Sequence, residues 1–138
     1  MLICDTSALI AFFDASDAHH EKVAATIAAD PGPFVVSPFV VAEMDFLLAT
    51  RRGVPADLVA LQEIGGGAWD LPACSAADIR VLSSLIERYQ DQDIGVADAS
   101  LVLLAERYGT DRLLTLDRRH LHVLSPLREG HRFTLLPA

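Results

Sequence analysis

Short apolar segments alternate along this chain with longer segments that have helical periodicity. The strand-like segments are residues 1–4, 34–36, 69–73, 113–116 and 133–136, and the predicted helices are 6–14, 17–29, 37–52, 55–64, 75–89, 96–108 and 118–121. Such an alternation joins parallel strands through helical crossovers, and wholly apolar strands are typical of a sheet buried on both faces. We therefore predict an α/β fold, with a mostly parallel central sheet flanked by helices on both faces.

Length and charge limit the number of domains and the class of partner. A chain of 138 residues predicts one domain over residues 1–138, because two cores would each be too small to be stable. With 19 acidic and 11 basic side chains, the formal net charge is −8. This balance excludes a protein that holds nucleic acid by bulk electrostatic attraction. The mean hydropathy of +0.33 indicates that another chain covers part of the surface.

The sequence contains no recognisable export or membrane signal. No basic region precedes Asp5, the first charged residue, and the longest apolar stretch, 33–42, is too short to cross a bilayer. Cys4 and Cys74 lack the spacing of a metal site and are expected to be buried, reduced thiols. We expect a cytoplasmic protein without membrane contact.

Two aspartates follow predicted strands. Asp5 comes directly after the first apolar run, and Asp117 comes after the run at 113–116. In open α/β sheets, ligands bind beyond the carboxyl ends of the strands. An aspartate in this position can also serve only to cap the next helix or turn, and that alternative stays open.

Two further acids are expected on helix faces with apolar neighbours. Asp98 has Leu101 and Val102 on its side of the helix. A carboxylate there would be largely desolvated, so an arginine or a metal ion must compensate its charge. Glu43 also has apolar neighbours on its helix face, so the same loss of solvation is expected for it. Asp45 has equally apolar neighbours, and helical periodicity does not choose between these two acids.

Carboxylates gathered from distant parts of the chain would form a cation site. Their oxygens are hard ligands that suit Mg²⁺ or Mn²⁺, and without a cation they would repel one another. Two ions about 4 Å apart can hold the attacking and leaving oxygens of a phosphodiester. The cluster therefore indicates hydrolysis by metal-activated water. The alternative is a set of structural salt bridges.

Four motifs in this order resemble the PIN-domain ribonucleases, specifically the VapC toxins of bacterial type II toxin–antitoxin pairs. The motifs are Asp5-Thr6-Ser7-Ala8-Leu9, Val40-Val41-Ala42-Glu43, Gly95-Val96-Ala97-Asp98-Ala99 and Leu114-Thr115-Leu116-Asp117-Arg118-Arg119. The resemblance implies an Mg²⁺-dependent endoribonuclease that cuts transfer or ribosomal RNA and arrests translation. It also implies a homodimer that is neutralised by a VapB-type antitoxin.

Carried over by position, the resemblance assigns the acids. Asp5 and Asp98 are implied as direct magnesium ligands, with Mn²⁺ as a substitute ion. Glu43 and Asp117 would complete the site, directly or through water. The family motif matches Glu43 and not Asp45, so the resemblance selects between them.

Two hydroxyl residues follow the first acid of the site. The resemblance implies that Thr6 or Ser7 orients Asp5 or a water molecule. Plain capping of the helix that begins here is the alternative.

Two groups of basic residues could contact RNA phosphates. Arg118, Arg119 and His120 directly follow Asp117 and could also offset its negative charge. Arg51 and Arg52 make a similar case at the end of a predicted helix. A solvated helix end is the alternative for both groups, and for Arg51 and Arg52 that alternative is strengthened because helix C-termini favour cations.

Other protein classes with acids at strand ends fit the sequence less well. A phosphorylated receiver domain needs a lysine near its end, and the only lysine is Lys22. A haloacid-dehalogenase-type phosphatase needs Asp-x-Asp after the first strand, and Asp5-Thr6-Ser7 lacks it. A catalytically inactive PIN-like RNA-binding or scaffold module remains open.

Overall fold

The sheet of this protein consists of four short parallel strands. The computed structural model describes residues 1–138. The strands are β1 (Leu2–Cys4), β2 (Phe34–Val35), β3 (Arg112–Leu114) and β4 (Thr134–Leu136). They are arranged in the order β2-β1-β3-β4, and every pairing is parallel. The prediction of an α/β fold with a parallel sheet flanked by helices is confirmed.

Strand β1 lies inside the sheet and fixes where the chain's first acid is placed. Its three residues are fully buried, as a strand covered on both faces requires. Ile3 lies opposite Val35 on one side and Leu113 on the other. Because β1 and β3 are parallel neighbours, their carboxyl ends meet at one edge. Asp5 therefore lies beside the segment that follows Leu114.

Seven α-helices surround the sheet, and a side-chain cap marks the start of three of them, the third, the fifth and the seventh. Ser37 Oγ accepts a hydrogen bond of 3.1 Å from the Val40 N–H where the third helix begins. A capping box forms between Ser75 and Asp78 at the start of the fifth helix. The helices are α1 (Thr6–Phe13), α2 (His20–Ala29), α3 (Pro38–Arg52), α4 (Val54–Ile64), α5 (Ala76–Arg88), α6 (Val96–Tyr108) and α7 (Arg118–Leu121).

The predicted strand at 69–73 is wrong. This segment makes a single parallel bridge, between Asp70 and Val35, and otherwise has no regular structure. Trp69 packs against aromatic rings of α1 and β2, with centroids 5.7 Å from Phe12 and from Phe34. Leu71 is 46% exposed, and Pro72 donates no hydrogen bond that would continue a ladder. The apolar run thus reflects one core tryptophan and not a buried strand.

Two predicted boundaries shift for visible reasons. Helix α2 begins at His20 and not at 17, because the Asp17 carboxylate accepts the His19 N–H (2.8 Å) and forms a turn. Strand β3 ends at Leu114 and not at 116, because the Leu116 N–H donates to the Ser7 hydroxyl (2.9 Å). Both shifts come from side-chain hydrogen bonds that compete with regular backbone pairing.

The structure also bears on the membrane and cysteine expectations. None of the helices combines the length and the apolar character that crossing a bilayer requires. Both cysteines are free; Cys4 is buried and Cys74 is only half-buried. The expectation of a buried thiol therefore holds for Cys4 alone.

Candidate active site

Asp5 lies at the carboxyl end of β1, where the chain turns into α1. Its backbone N–H donates to the Leu114 carbonyl (2.8 Å), which continues the pairing of β1 with β3. Its Oδ2 accepts hydrogen bonds from Thr115 Oγ1 (2.8 Å) and Ser7 Oγ (3.0 Å). Burial raises the pKa of the Asp5 carboxyl, and these two hydroxyl donors partly oppose that rise. Asp5 is thus a buried acid held in one orientation.

Ser7 and Thr115 form a small hydroxyl network behind Asp5. Their oxygens are 3.3 Å apart, and Thr115 Oγ1 also accepts the Asp117 N–H (3.0 Å). Ser7 therefore has the position predicted for a hydroxyl that orients Asp5. Thr115 lies within the last of the four motifs, but the sequence gives no indication of this role. Only the pairing of β1 with β3 brings Thr115 to Asp5, so no local pattern could have singled it out.

Asp98 and Glu43 approach Asp5 from two helices. Asp98 is half-buried in the first turn of α6, where its Oδ2 accepts only a long hydrogen bond (3.4 Å) from the Gly95 N–H. Burial, then the negative charge of Asp5, and also that of Glu43, raise the pKa of Asp98 to about 6. The expectation that apolar neighbours would desolvate Glu43 is wrong, because its side chain is exposed. Glu43 lies at the open rim and Asp98 lies deeper.

Asp45, the alternative to Glu43, lies outside this group. It is exposed on α3 and faces Asp57 of α4. Asp57 is 4% exposed, and its Oδ1 has no hydrogen-bond partner. Burial and the hydrogen bond shared with Asp45 raise the pKa of Asp57 to about 6. The structure therefore places Glu43 at the site and Asp45 in a separate acidic pair.

Asp117 caps α7 and binds His120. Its Oδ1 accepts the His120 N–H (3.2 Å), and its Oδ2 lies 3.0 Å from His120 Nδ1. The hydrogen bond and the charge of Asp117 raise the pKa of His120. The capping alternative for Asp117 is thus realised, and both of its oxygens have a protein partner. Its predicted role as a metal ligand stays a prediction.

One cavity of about 280 Å³ brings the four predicted acids together. None of Asp5, Glu43 and Asp98 forms an ion pair with an arginine or lysine. The structural salt bridge considered for Asp98 is therefore absent. The lining residues are Asp5, Thr6, Ser7, Ile10, Glu43, Leu47, Arg51, Asp98, Asp117 and His120.

The donor set of this cavity fits a hard divalent cation. The buried Thr6 Oγ1 has no hydrogen-bond partner and adds a free oxygen to the carboxylates. No three acidic, histidine or cysteine side chains are already gathered closely enough to hold an ion. Mg²⁺ commonly keeps several waters and needs only one or two protein carboxylates, so the arrangement fits Mg²⁺ without such a cage.

The basic residues that follow Asp117 have separate environments. The Arg118 guanidinium donates to the Pro137 carbonyl, which ties it to the C-terminal segment. Arg119 is exposed, and His120 lines the acidic cavity. Their contact with RNA phosphates stays a prediction, and of the three only His120 reaches the cavity.

The two arginines at the end of α3 also differ. Arg52 binds Asp14 through its Nε (2.8 Å) and also contacts Ser16. Arg51 lines the acidic cavity and has neither an ion-pair partner nor a hydrogen-bond partner. Sequence reasoning treated the pair alike, because the direction of each side chain depends on what α3 packs against.

Comparisons with known proteins identify similar chains. The sequence pattern of the PIN domain family matches residues 2–124. The chain is 52% identical over 136 residues to Ribonuclease VapC26 of Mycobacterium tuberculosis, covering 99% of this chain and 100% of the relative. The structure is similar to VapC20 of the same species, described as a sarcin–ricin loop cleaving toxin (TM-score 0.76, 21% identity, 82% of this chain and 87% of the other). It is also similar to FitAcB from Neisseria gonorrhoeae (TM-score 0.58, 17% identity, 87% and 90%). At these identities the two structures share the fold.

Proposed function

The chain belongs to the PIN domain family, within its VapC group, and on that premise we propose that it is a metal-dependent endoribonuclease toxin. The reaction is hydrolysis of phosphodiester bonds in RNA, with transfer or ribosomal RNA as the cytoplasmic target. The observation that carries the proposal is the cavity in which Asp5, Glu43 and Asp98 face one another without an arginine or lysine partner. The 52% identity to a named ribonuclease over nearly the whole chain supports the same activity.

In this proposal the acids hold Mg²⁺, with Mn²⁺ as a substitute. Asp5 and Asp98 are the direct ligands, and Glu43 and Asp117 contribute directly or through water. When bound, the ion supplies charge neutralisation for the phosphodiester and activation of the attacking water.

The residues around Asp5 prepare it for that role. Ser7 and Thr115 both donate to Oδ2, which fixes the carboxylate and favours its charged form. Neither hydroxyl contacts Oδ1, and the Thr6 N–H also lowers the pKa of the Asp5 carboxyl, which favours its charged form. The long bond from Gly95 leaves Asp98 free to turn towards a ligand.

The test of the enzyme is cleavage of total bacterial RNA by purified protein. We expect cutting in Mg²⁺ or Mn²⁺, none with a chelator, and none with Asp98→Asn. Asp78→Asn is the matched control, because Asp78 occupies the same position in the first turn of α5 and binds Arg107 outside the cavity. If folded, partner-free wild type cuts no RNA in either metal, the chain is an inactive PIN module and the proposal is wrong.

We also propose that the chain is a homodimer and that a VapB-type antitoxin neutralises it. Support comes from apolar side chains of the α3–α4 hairpin that no part of this chain covers, since Phe46 is 66% exposed and Val59 is 65% exposed. Light scattering of the purified chain should give twice its 14.9 kDa mass. Expression in a bacterium should slow growth unless the antitoxin is co-expressed. A monomeric mass contradicts the dimer, and normal growth with active protein contradicts the toxin role.

A further inference from the structure

A row of side chains along α3 runs from the acidic cavity to a neighbouring cavity. Phe39, Glu43, Leu47 and Arg51 succeed one another at intervals of four residues, so they form one ridge of the helix. In this row Glu43 lies between Phe39 and Arg51. The ends of the row, twelve residues apart, are separated by about 18 Å along the helix axis. The row is long enough for several nucleotides of an extended strand.

Arg51 provides a positive charge at one end of this row. It is the only arginine or lysine among the residues that line the acidic cavity. Its neighbour Arg52 is held by Asp14, whereas Arg51 has no acidic partner in a chain that carries a net charge of −8. Because the Arg51 guanidinium forms no ion pair with the nearby carboxylates, it is available to bind a phosphate through two parallel hydrogen bonds.

Phe39 provides an aromatic surface at the other end. It is half-buried and lines a second, more open cavity of about 580 Å³ together with Val96 of α6. Glu43 and Asp98 line both cavities, so the carboxylates lie between Phe39 and Arg51. Aromatic side chains beside single-stranded RNA commonly stack on unpaired bases.

We propose that RNA lies as a single strand along α3, with a backbone phosphate bound to Arg51 on one side of the carboxylates and a base stacked on Phe39 on the other. This inference rests on the proposed ribonuclease function and adds the two contacts that position the strand. A bound cation would neutralise the carboxylates, and Arg51 and Phe39 would supply the attraction that the acidic surface lacks.

Arg51 is tested by the salt dependence of RNA binding. The parent protein carries Asp98→Asn to prevent cutting, and the probe is a short fluorescein-labelled single-stranded RNA of mixed sequence in Mg²⁺, followed by fluorescence anisotropy. Arg51→Ala should reduce the slope of log K against log salt by about 0.7, the value for one phosphate contact to a single strand. Arg80→Ala is the control, because Arg80 is exposed on α5, lines no cavity and has no ion-pair partner. An Arg51→Ala slope equal to that of Arg80→Ala overturns the phosphate contact.

Phe39 is tested with the same probe. Phe39→Ala should weaken binding about 5- to 150-fold without changing the salt slope, because stacking carries no charge. Phe133→Ala is the control, since Phe133 is also half-buried and lines a different cavity. Phe39→Trp retains a stacking surface and should restore binding if folding of the alanine variant is impaired. Equal affinities of the Phe39→Ala and Phe133→Ala variants, or failure of tryptophan to restore binding, overturn the stacking contact.

The two proposals fail in different ways. If wild type cuts RNA in Mg²⁺ but both variants bind like their controls, the position of the strand is wrong and the ribonuclease function stands. If wild type cuts no RNA in any divalent metal, the function itself is wrong.

Discussion

Replacing Asp98 by asparagine removes one negative charge from the acidic cavity and keeps the side chain's shape. The new side chain can still accept the Gly95 N–H, so the start of α6 is preserved. In the wild type, burial and the charges of Asp5 and Glu43 hold the pKa of Asp98 at about 6, against an ordinary value of 3.8. A charged Asp98 therefore costs the folded state free energy, and the asparagine variant does not incur that cost.

The sign and size of the effect follow from this pKa. An acid whose folded-state pKa is raised destabilises the fold as pH rises from about 4 to about 6, and the loss is complete above that range. Two pKa units correspond to about 3 kcal/mol, and solvent screening of a half-exposed group reduces this to about 1–2 kcal/mol. For a domain of this length, that gain corresponds to an increase in Tm of about 3–7 °C. Below pH about 4 the gain should vanish.

The assay is thermal and urea unfolding of wild type and Asp98→Asn in chelator at pH 4 and pH 8, repeated with Mg²⁺. The variant should be more stable than wild type only at pH 8 without metal. Mg²⁺ should stabilise the wild type and stabilise the variant less, because the variant lacks the proposed Asp98 ligand.

Asp78→Asn serves as the opposite control. Asp78 has the same place in the first turn of α5, but the Ser75 N–H and Arg107 lower the pKa of its carboxyl. Replacing Asp78 by asparagine should therefore lower the free energy of unfolding. A lower free energy of unfolding for Asp98→Asn at pH 8 in chelator would show that Asp98 stabilises the fold, and would refute the argument for a repulsive cation site.

Two further predictions concern buried polar groups. Asp57→Asn should raise the free energy of unfolding at pH 8 by about 1–3 kcal/mol and leave it unchanged below pH 4, because burial and the carboxylate of Asp45 raise the pKa of Asp57 to about 6. Urea unfolding at both pH values measures this effect. A lower free energy of unfolding for the variant at pH 8 would contradict the prediction. Thr115→Val should remove the 2.8 Å bond to Asp5, lower the free energy of unfolding by about 1–2 kcal/mol and weaken Mg²⁺ binding at Asp5. Calorimetric titration with Mg²⁺ measures the change in Mg²⁺ affinity. Thr110→Val is the control, because it removes a buried threonine hydroxyl elsewhere in the fold. Equal Mg²⁺ affinities of the two variants would contradict a role of Thr115 in Mg²⁺ binding.

The acidic lining of the cavity could be predicted in part, because two of its acids have local signatures in the sequence. Asp5 follows a wholly apolar run that can only be an inner strand, and Asp98 interrupts the apolar face of a helix. Both signatures depend on neighbours within a few residues along the chain. The choice of Glu43 over Asp45 had no such signature and came from the family resemblance, since α3 is apolar on nearly all sides.

The remaining features depend on tertiary packing. Thr115 reaches Asp5 only because β3 pairs with β1, and Arg51 differs from Arg52 only because Asp14 lies beside one of them. The wrong prediction of a strand around Trp69 also arises because tertiary packing cannot be read from the local sequence. A large apolar residue in a short run indicates burial, but burial against the rings of α1 needs no hydrogen-bonded ladder.

The bond between Asp5 and Thr115 joins residues 110 positions apart. During translation, the chain's first acid leaves the ribosome early, but the residue after β3 that helps to order its carboxylate emerges only 110 residues later. A nascent or prematurely terminated chain that lacks β3 therefore cannot hold the Asp5 carboxylate in the orientation seen in the complete fold. The topology β2-β1-β3-β4 thus delays assembly of the acidic cavity until the segment after β3 has been synthesised.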